Sequence, residues 1–118
     1  MYDHIGLKVK NLDTAVRFYR AALEPLGLVQ DESGGFGPRG APALWLYPKG
    51  DSTSSGTHVA FQAKNRTAVD RFHAAGLKAG GRDHGKPGLR ADYSPTYYAA
   101  FLIDPDGNNV EAVFTGSS

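Results

Sequence analysis

Two histidines and a glutamate are the side chains in this sequence that could carry chemistry. The stretches "DHIGLKVKN" at 3–11 and "THVAFQAKN" at 57–65 place His4 and His58 at the same point of nearly the same phrase. Imidazole changes charge close to neutral pH and is the commonest ligand for divalent metals, so a repeated histidine is a candidate proton carrier or metal ligand. It is also an ordinary polar residue for a sheet edge, and the spacing alone leaves both readings open. Glu111, in "NNVEAVF", alternates with Val110, Ala112 and Phe114, so its carboxylate falls on the face opposite theirs.

The repeat extends well beyond the histidines. Laid without a gap on 58–77, residues 4–23 match Lys10 with Lys64, Asn11 with Asn65, Arg17 with Arg71, Phe18 with Phe72, Ala21 with Ala75 and Leu23 with Leu77. In each copy a stretch of period 2 runs into one of period 3.6, which predicts a strand followed by a helix. Ile5, Leu7 and Val9 share one strand face while His4, Gly6 and Lys8 share the other; Val59, Phe61 and Ala63 likewise oppose His58, Ala60 and Gln62. Leu12, Ala15, Val16, Tyr19, Ala22 and Leu23 form the apolar stripe of the first helix, and Ala68, Val69, Phe72 and Ala75 that of the second. Asn11 and Asn65 are the expected N-caps; Pro25 with Gly27, and Gly76, are the expected stops.

Short strands separated by glycine-rich turns follow each helix, near 28–31, 35–37 and 43–47, then 78–82, 97–103 and 109–114. "DPDG" at 104–107 has the preferences of a type I turn joining the last two strands, and the ligands a calcium loop would add after it are missing. The expected fold is therefore α+β: two βαβββ modules, about 1–50 and 56–118 with a break near 50–56, in a single domain spanning 1–118 and forming a cupped mixed sheet.

Composition narrows the function. The 118 residues suit one compact domain. Thirteen basic side chains against twelve acidic ones leave a formal charge of +1, far from the concentrated positive surface that nucleic acid requires. No apolar run, "ALWLY" at 43–47 included, approaches the roughly 20 residues a membrane span needs. Asp3 and His4 interrupt what would be the start of a signal peptide, and there is no cysteine, so a cytoplasmic setting is expected.

Other residues are candidates for binding. Trp45 and Tyr47 fall on one strand face, an aromatic wall for an apolar or planar molecule if that face is the inner one, and ordinary packing otherwise. The glycine-rich stretch 80–98 carries Arg82, His84, Lys86, Arg90 and Tyr93 and reads as a loop, either solvated or placed over a pocket mouth to meet an acidic substrate. His73 is expected on the exposed face of the second helix. No phosphate loop is present, and no Ser-His-Asp arrangement can be argued from order alone.

Paired βαβββ units, a histidine in the first strand of each and "DPDGNNVE" near the end resemble the vicinal oxygen chelate superfamily, which includes glyoxalase I, bleomycin-resistance proteins, fosfomycin-resistance thiol transferases, methylmalonyl-CoA epimerase and extradiol dioxygenases. The resemblance spans nearly the whole chain. It implies the glyoxalase/bleomycin resistance/dihydroxybiphenyl dioxygenase fold, with His4, His58 and Glu111 converging inside the cup on a divalent metal ion (Fe, Mn, Zn, Ni or Co) and leaving coordination positions open. The fourth ligand of glyoxalase I and the epimerase is missing, because "ALWLYPK" offers neither carboxylate nor amide. The three-ligand set is similar to that of the dioxygenases and thiol transferases, although the latter carry Thr where this chain has Gly6, and the dioxygenases also use a His and a Tyr near the iron, for which His84, Tyr93, Tyr97 and Tyr98 are available.

The resemblance thus implies a metal-dependent enzyme acting on a small oxygen-bearing molecule. The base would be Glu111, a loop residue or metal-bound water, and Trp45, Tyr47, Arg90 and Tyr97 would contact substrate. The competing expectation is a metal-free protein that sequesters a small molecule, as bleomycin-resistance proteins do. Either form is expected as a homodimer, without nucleic-acid or membrane partners.

Overall fold

Both asparagines cap helices as their residue type requires: Asn11 Oδ1 accepts from the Thr14 N–H and Asn65 Oδ1 from that of Ala68. The computed structural model describes residues 2–48 and 57–116, so the expected module break at 50–56 lies outside the described residues. The first module comprises β1 (Ile5–Val9), α1 (Leu12–Leu23), a 3₁₀ turn (Glu24–Leu26), β2 (Val29–Gln30), β3 (Phe36–Gly37) and β4 (Leu44–Pro48); the second comprises β5 (His58–Gln62), α2 (Arg66–Lys78), β6 (Arg82–Leu89), β7 (Tyr98–Ile103) and β8 (Asn109–Phe114).

Among the described residues eight strands form two four-stranded mixed sheets of identical topology, β1-β4-β3-β2 and β5-β8-β7-β6. In each, the first and last strands of the module run parallel, β1 with β4 and β5 with β8, and the other neighbours are antiparallel. This is the α+β pair of βαβββ units that the repeat predicts. Among the described residues no helix is long and apolar enough to cross a membrane.

The core lies between the helices and one face of each sheet. Leu7, Val9, Leu44 and Leu46 from the first sheet and Val59, Leu102, Val110 and Ala112 from the second are buried against α1 and α2. The helices also pack on each other, and α1 is tied to the second module by side chains: the Tyr19 hydroxyl donates to Asp104 Oδ2, and the Lys10 N–H donates to Asp106 Oδ1. The "DPDG" turn thus joins β7 to β8 and also clamps the first helix.

Three expectations are corrected by this packing. Phe18, absent from the predicted stripe, is fully buried, whereas Leu12 is largely exposed. Gly76 does not end α2, which runs through it to Lys78; a Cβ there would stand 2.3 Å from Leu102 Cδ1, so glycine serves close helix–sheet approach. The first half of the stretch predicted as a loop, 80–98, is the strand β6, while 90–97 is the turn that follows it, and the strand predicted at 78–82 is displaced into 82–89. β6 escapes a period-2 reading because it is an edge strand with register shifts between Asp83 and Gly85 and between Gly85 and Gly88, and because it contains Pro87.

His73 is also buried rather than exposed, and its Nε2 lies 2.8 Å from Asp83 Oδ1 on β6. That hydrogen bond, with one from the Gly85 N–H, holds the Asp83 carboxyl below the usual carboxylate range. A depressed folded value stabilises the protein above the unfolded pKa of about 4 and loses that contribution as pH falls through the folded one. Asp83→Asn is therefore expected to lower the urea midpoint at pH 7, and the gap from the parent should close as both are titrated into acid.

Candidate functional site

The faces turned away from the helices hold the candidate residues. On the first sheet Gly6 pairs with Trp45 and Lys8 with Tyr47, so these four side-chain positions and His4, one residue before β1, share a face. His4 Nδ1 is 2.8 Å from Asp3 Oδ1, and its ring meets Trp45 edge-on with centroids 5.6 Å apart. The Tyr47 ring lies over Gly6, where a Cβ would come within 2.7 Å of Cε2. A larger residue at 6 would displace that ring.

On the second sheet Glu111 pairs with Ala60 on one side and Phe101 on the other. It is only 3% exposed. Burial of a carboxylate costs several kcal/mol unless its oxygens are bonded, and both are: Oε1 lies 3.0 Å from His58 Nε2, and Oε2 accepts the Tyr97 hydroxyl. Desolvation, then the bond to Glu111 and its charge, push the Tyr97 phenol up to about 12, so it stays a donor throughout the neutral range. His58 stacks on Phe101 at 6.4 Å, and Tyr93 meets Tyr97 edge-on at 5.0 Å. The result is an open hollow of about 520 Å³ lined by His58, Tyr93, Tyr97, Phe101, Asn109 and Glu111.

The structure therefore brings together His58, Glu111 and Tyr97 of the sequence candidates, with Arg90 at the border, its guanidinium carbon 5.4 Å above the Phe101 ring. It leaves His4, Trp45 and Tyr47 together on the other sheet. Among the described residues no three His, Cys, Asp or Glu side chains converge to hold an ion. The pair that does converge has suitable spacing: two donors about 2.1 Å from a first-row ion and at right angles to each other are separated by roughly 3 Å.

Phe101 and Asn109 were not among the sequence candidates. Asn109 sits two residues before Glu111 on the same strand face, and Phe101 is the cross-strand neighbour of Glu111, a relation available only once the β7–β8 register is known.

The model of the Glyoxalase/Bleomycin resistance protein/Dioxygenase superfamily matches residues 2–112, and the chain belongs to that superfamily. It is similar to the crystal structure of a glyoxalase/bleomycin resistance protein from Albidiferax ferrireducens, with 28% identity over 98% of this chain and 99% of that one and a TM-score of 0.80. A glyoxalase/bleomycin resistance protein/dioxygenase family enzyme from Burkholderia phytofirmans shares the fold at 18% identity, covering 97% and 98% of the two chains with a TM-score of 0.76. A glyoxalase-related enzyme from Fulvimarina pelagi does so at 19% identity over 93% and 84%, with a TM-score of 0.65. No curated protein matches the chain.

Proposed function

We propose that the protein is a divalent-metal-dependent enzyme acting on a small oxygen-bearing molecule, and that its metal is held by His58 and Glu111 of one copy with His4 of a second copy in a homodimer. The observation that carries this reading is the 3.0 Å separation of His58 Nε2 and Glu111 Oε1, which suits two neighbouring ligands of one ion. The partner supplies what one chain lacks. His4, Trp45 and the 49%-exposed Tyr47 form a polar and aromatic face, while the second sheet has a hollow and two donors on which, among the described residues, no third His, Cys, Asp or Glu converges. Apposing the two faces covers exposed aromatic surface and free sheet edges.

A bound divalent ion would supply Lewis-acid polarisation of adjacent substrate oxygens. The chain's own part is positional. Tyr97 fixes Glu111 Oε2, which keeps Oε1 directed at His58, and Tyr93 and Phe101 give a flat apolar floor for the body of the substrate. Glu111 is the candidate base, and a cytoplasmic setting belongs to the same proposal.

The test is equilibrium dialysis of protein purified without chelator or affinity-tag metals against Zn²⁺, Mn²⁺, Fe²⁺, Ni²⁺ and Co²⁺, together with sedimentation at tens of micromolar. One ion per chain on a dimer is the expected result. A second reading rests on Glu111 already having both oxygens bonded: a dimer that takes up none of these ions would be a metal-free small-molecule binder. Tyr97→Phe should weaken metal affinity about 10- to 100-fold, the usual effect of removing a group that orients a ligand, while the ion-to-chain ratio at saturation is unchanged.

A further inference from the structure

Arg90 is held in place by features that nothing in the metal site requires. Its Nη2 donates to the Lys86 carbonyl at 2.6 Å, and its backbone N–H donates to the Tyr97 carbonyl at 2.7 Å. Two glycines of β6 make the space for its guanidinium: a Cβ on Gly85 would lie 3.3 Å from Nη2, and one on Gly88 would lie 3.2 Å from Nη1. The guanidinium occupies the position that a side chain at 85 would take, against the Phe101 ring. Because Gly85 pairs with Phe101 and Phe101 with Glu111, the same sheet face carries in order a cation, an aromatic ring and the His58–Glu111 pair. Two strand spacings, roughly 10 Å, separate the ends of that row.

We propose that Arg90 is a specificity-determining residue that binds the carboxylate of a planar organic acid, whose flat body fits the hollow lined by Phe101, Tyr93 and Tyr97 and whose far end carries the oxygen presented to His58 and Glu111. The proposal rests on the reading of that pair as the reacting end of the site. A guanidinium is a planar fork matched to a carboxylate, and its fixed orientation lowers the entropy lost on binding. A single fork with one donor already committed to Lys86 suits a monoanion. The flat body follows from the walls, since the aromatic side chains of Phe101, Tyr93 and Tyr97 line the hollow.

The probes are 4-hydroxybenzoate, its neutral isostere 4-hydroxybenzamide and the non-planar trans-4-hydroxycyclohexanecarboxylate, titrated calorimetrically into the full chain with and without added Zn²⁺. The parent should bind the benzoate roughly 10- to 100-fold more tightly than the benzamide, the range of a charge-assisted hydrogen-bonded pair, and more tightly than the cyclohexane acid. Arg90→Gln should bring benzoate and benzamide to equal affinity with Zn²⁺ uptake unchanged, and Arg90→Lys should recover only part of the preference. Equal affinities in the parent, or a preference that survives Arg90→Gln, would overturn the proposal. A chain that takes up no Zn²⁺ but keeps an Arg90-dependent preference would overturn the metal reading and leave the anion site standing.

Discussion

Glu111→Gln is expected to weaken metal binding at least 100-fold and to leave the fold intact. The loss should exceed that from removing an orienting group, because a direct anionic donor is replaced by a weak neutral one. The fold should survive for a local reason. The amide oxygen of Gln has the shape to keep one of the two bonds Glu111 now makes, and a buried charge only 3% exposed is removed. Neutralising a buried carboxylate commonly costs little or even stabilises. The apo variant should therefore melt within a few degrees of the apo parent, and differential scanning calorimetry beside a zinc titration checks both halves. His73 is unsuitable as a control, since it is buried against Asp83; the exposed Arg71 on α2 serves instead, and its replacement by Ala should change neither quantity.

Asp104→Ala is expected to be the most destabilising of these substitutions, at about 3–5 kcal/mol, because several neutral donors lose their shared charged acceptor at once and each buried group left unsatisfied costs roughly 1–3 kcal/mol. Asp104 is 2% exposed and accepts from the Tyr19 hydroxyl and Asn108 Nδ2 through one oxygen and from the Asp106 and Asn108 N–H groups through the other. Alanine leaves the fully buried Tyr19 hydroxyl and the Asn108 amide without that acceptor and loosens the turn that clamps α1. Against a total stability of roughly 5–15 kcal/mol, such a loss is a large fraction. Tyr19→Phe removes one donor and leaves Asp104 three others, so it should cost about 1–2 kcal/mol. Urea unfolding of the three proteins at one pH checks the order: parent, then Tyr19→Phe, then Asp104→Ala.

The repeated phrase made the duplicated module legible, since period-2 strands running into period-3.6 helices are local patterns and both asparagine caps follow from local hydrogen bonding. What escaped was set by contacts distant in sequence. Phe18 is buried because α1 packs on α2 as well as on a sheet, which widens the apolar stripe beyond one face. Gly76 carried the residue type of a helix stop but answers to Leu102 across the core. β6 hid behind its bulges and proline. At the site, alternation along one strand gave Glu111 its face, and the repeat gave the histidines theirs, but alternation says nothing about which faces meet. That is why Tyr97 and His58 at Glu111 became visible only with the β5–β8 and β7–β8 registers, and why His4 stands apart from them within one chain.

The claim that two copies build each site can be tested by mixing variants. His4→Ala and the double variant His58→Ala, Glu111→Gln should each bind no zinc tightly on their own. After denaturation together and refolding, the mixed dimers should contain one intact site, formed by His4 of the double variant with His58 and Glu111 of the His4→Ala chain. With random pairing, zinc capacity should recover to about a quarter of the parent's, because half the dimers are mixed and each carries one good site of two. Recovery to that level is the predicted result; capacity that stays at the level of the separate variants, with mixed dimers shown to be present, would contradict it.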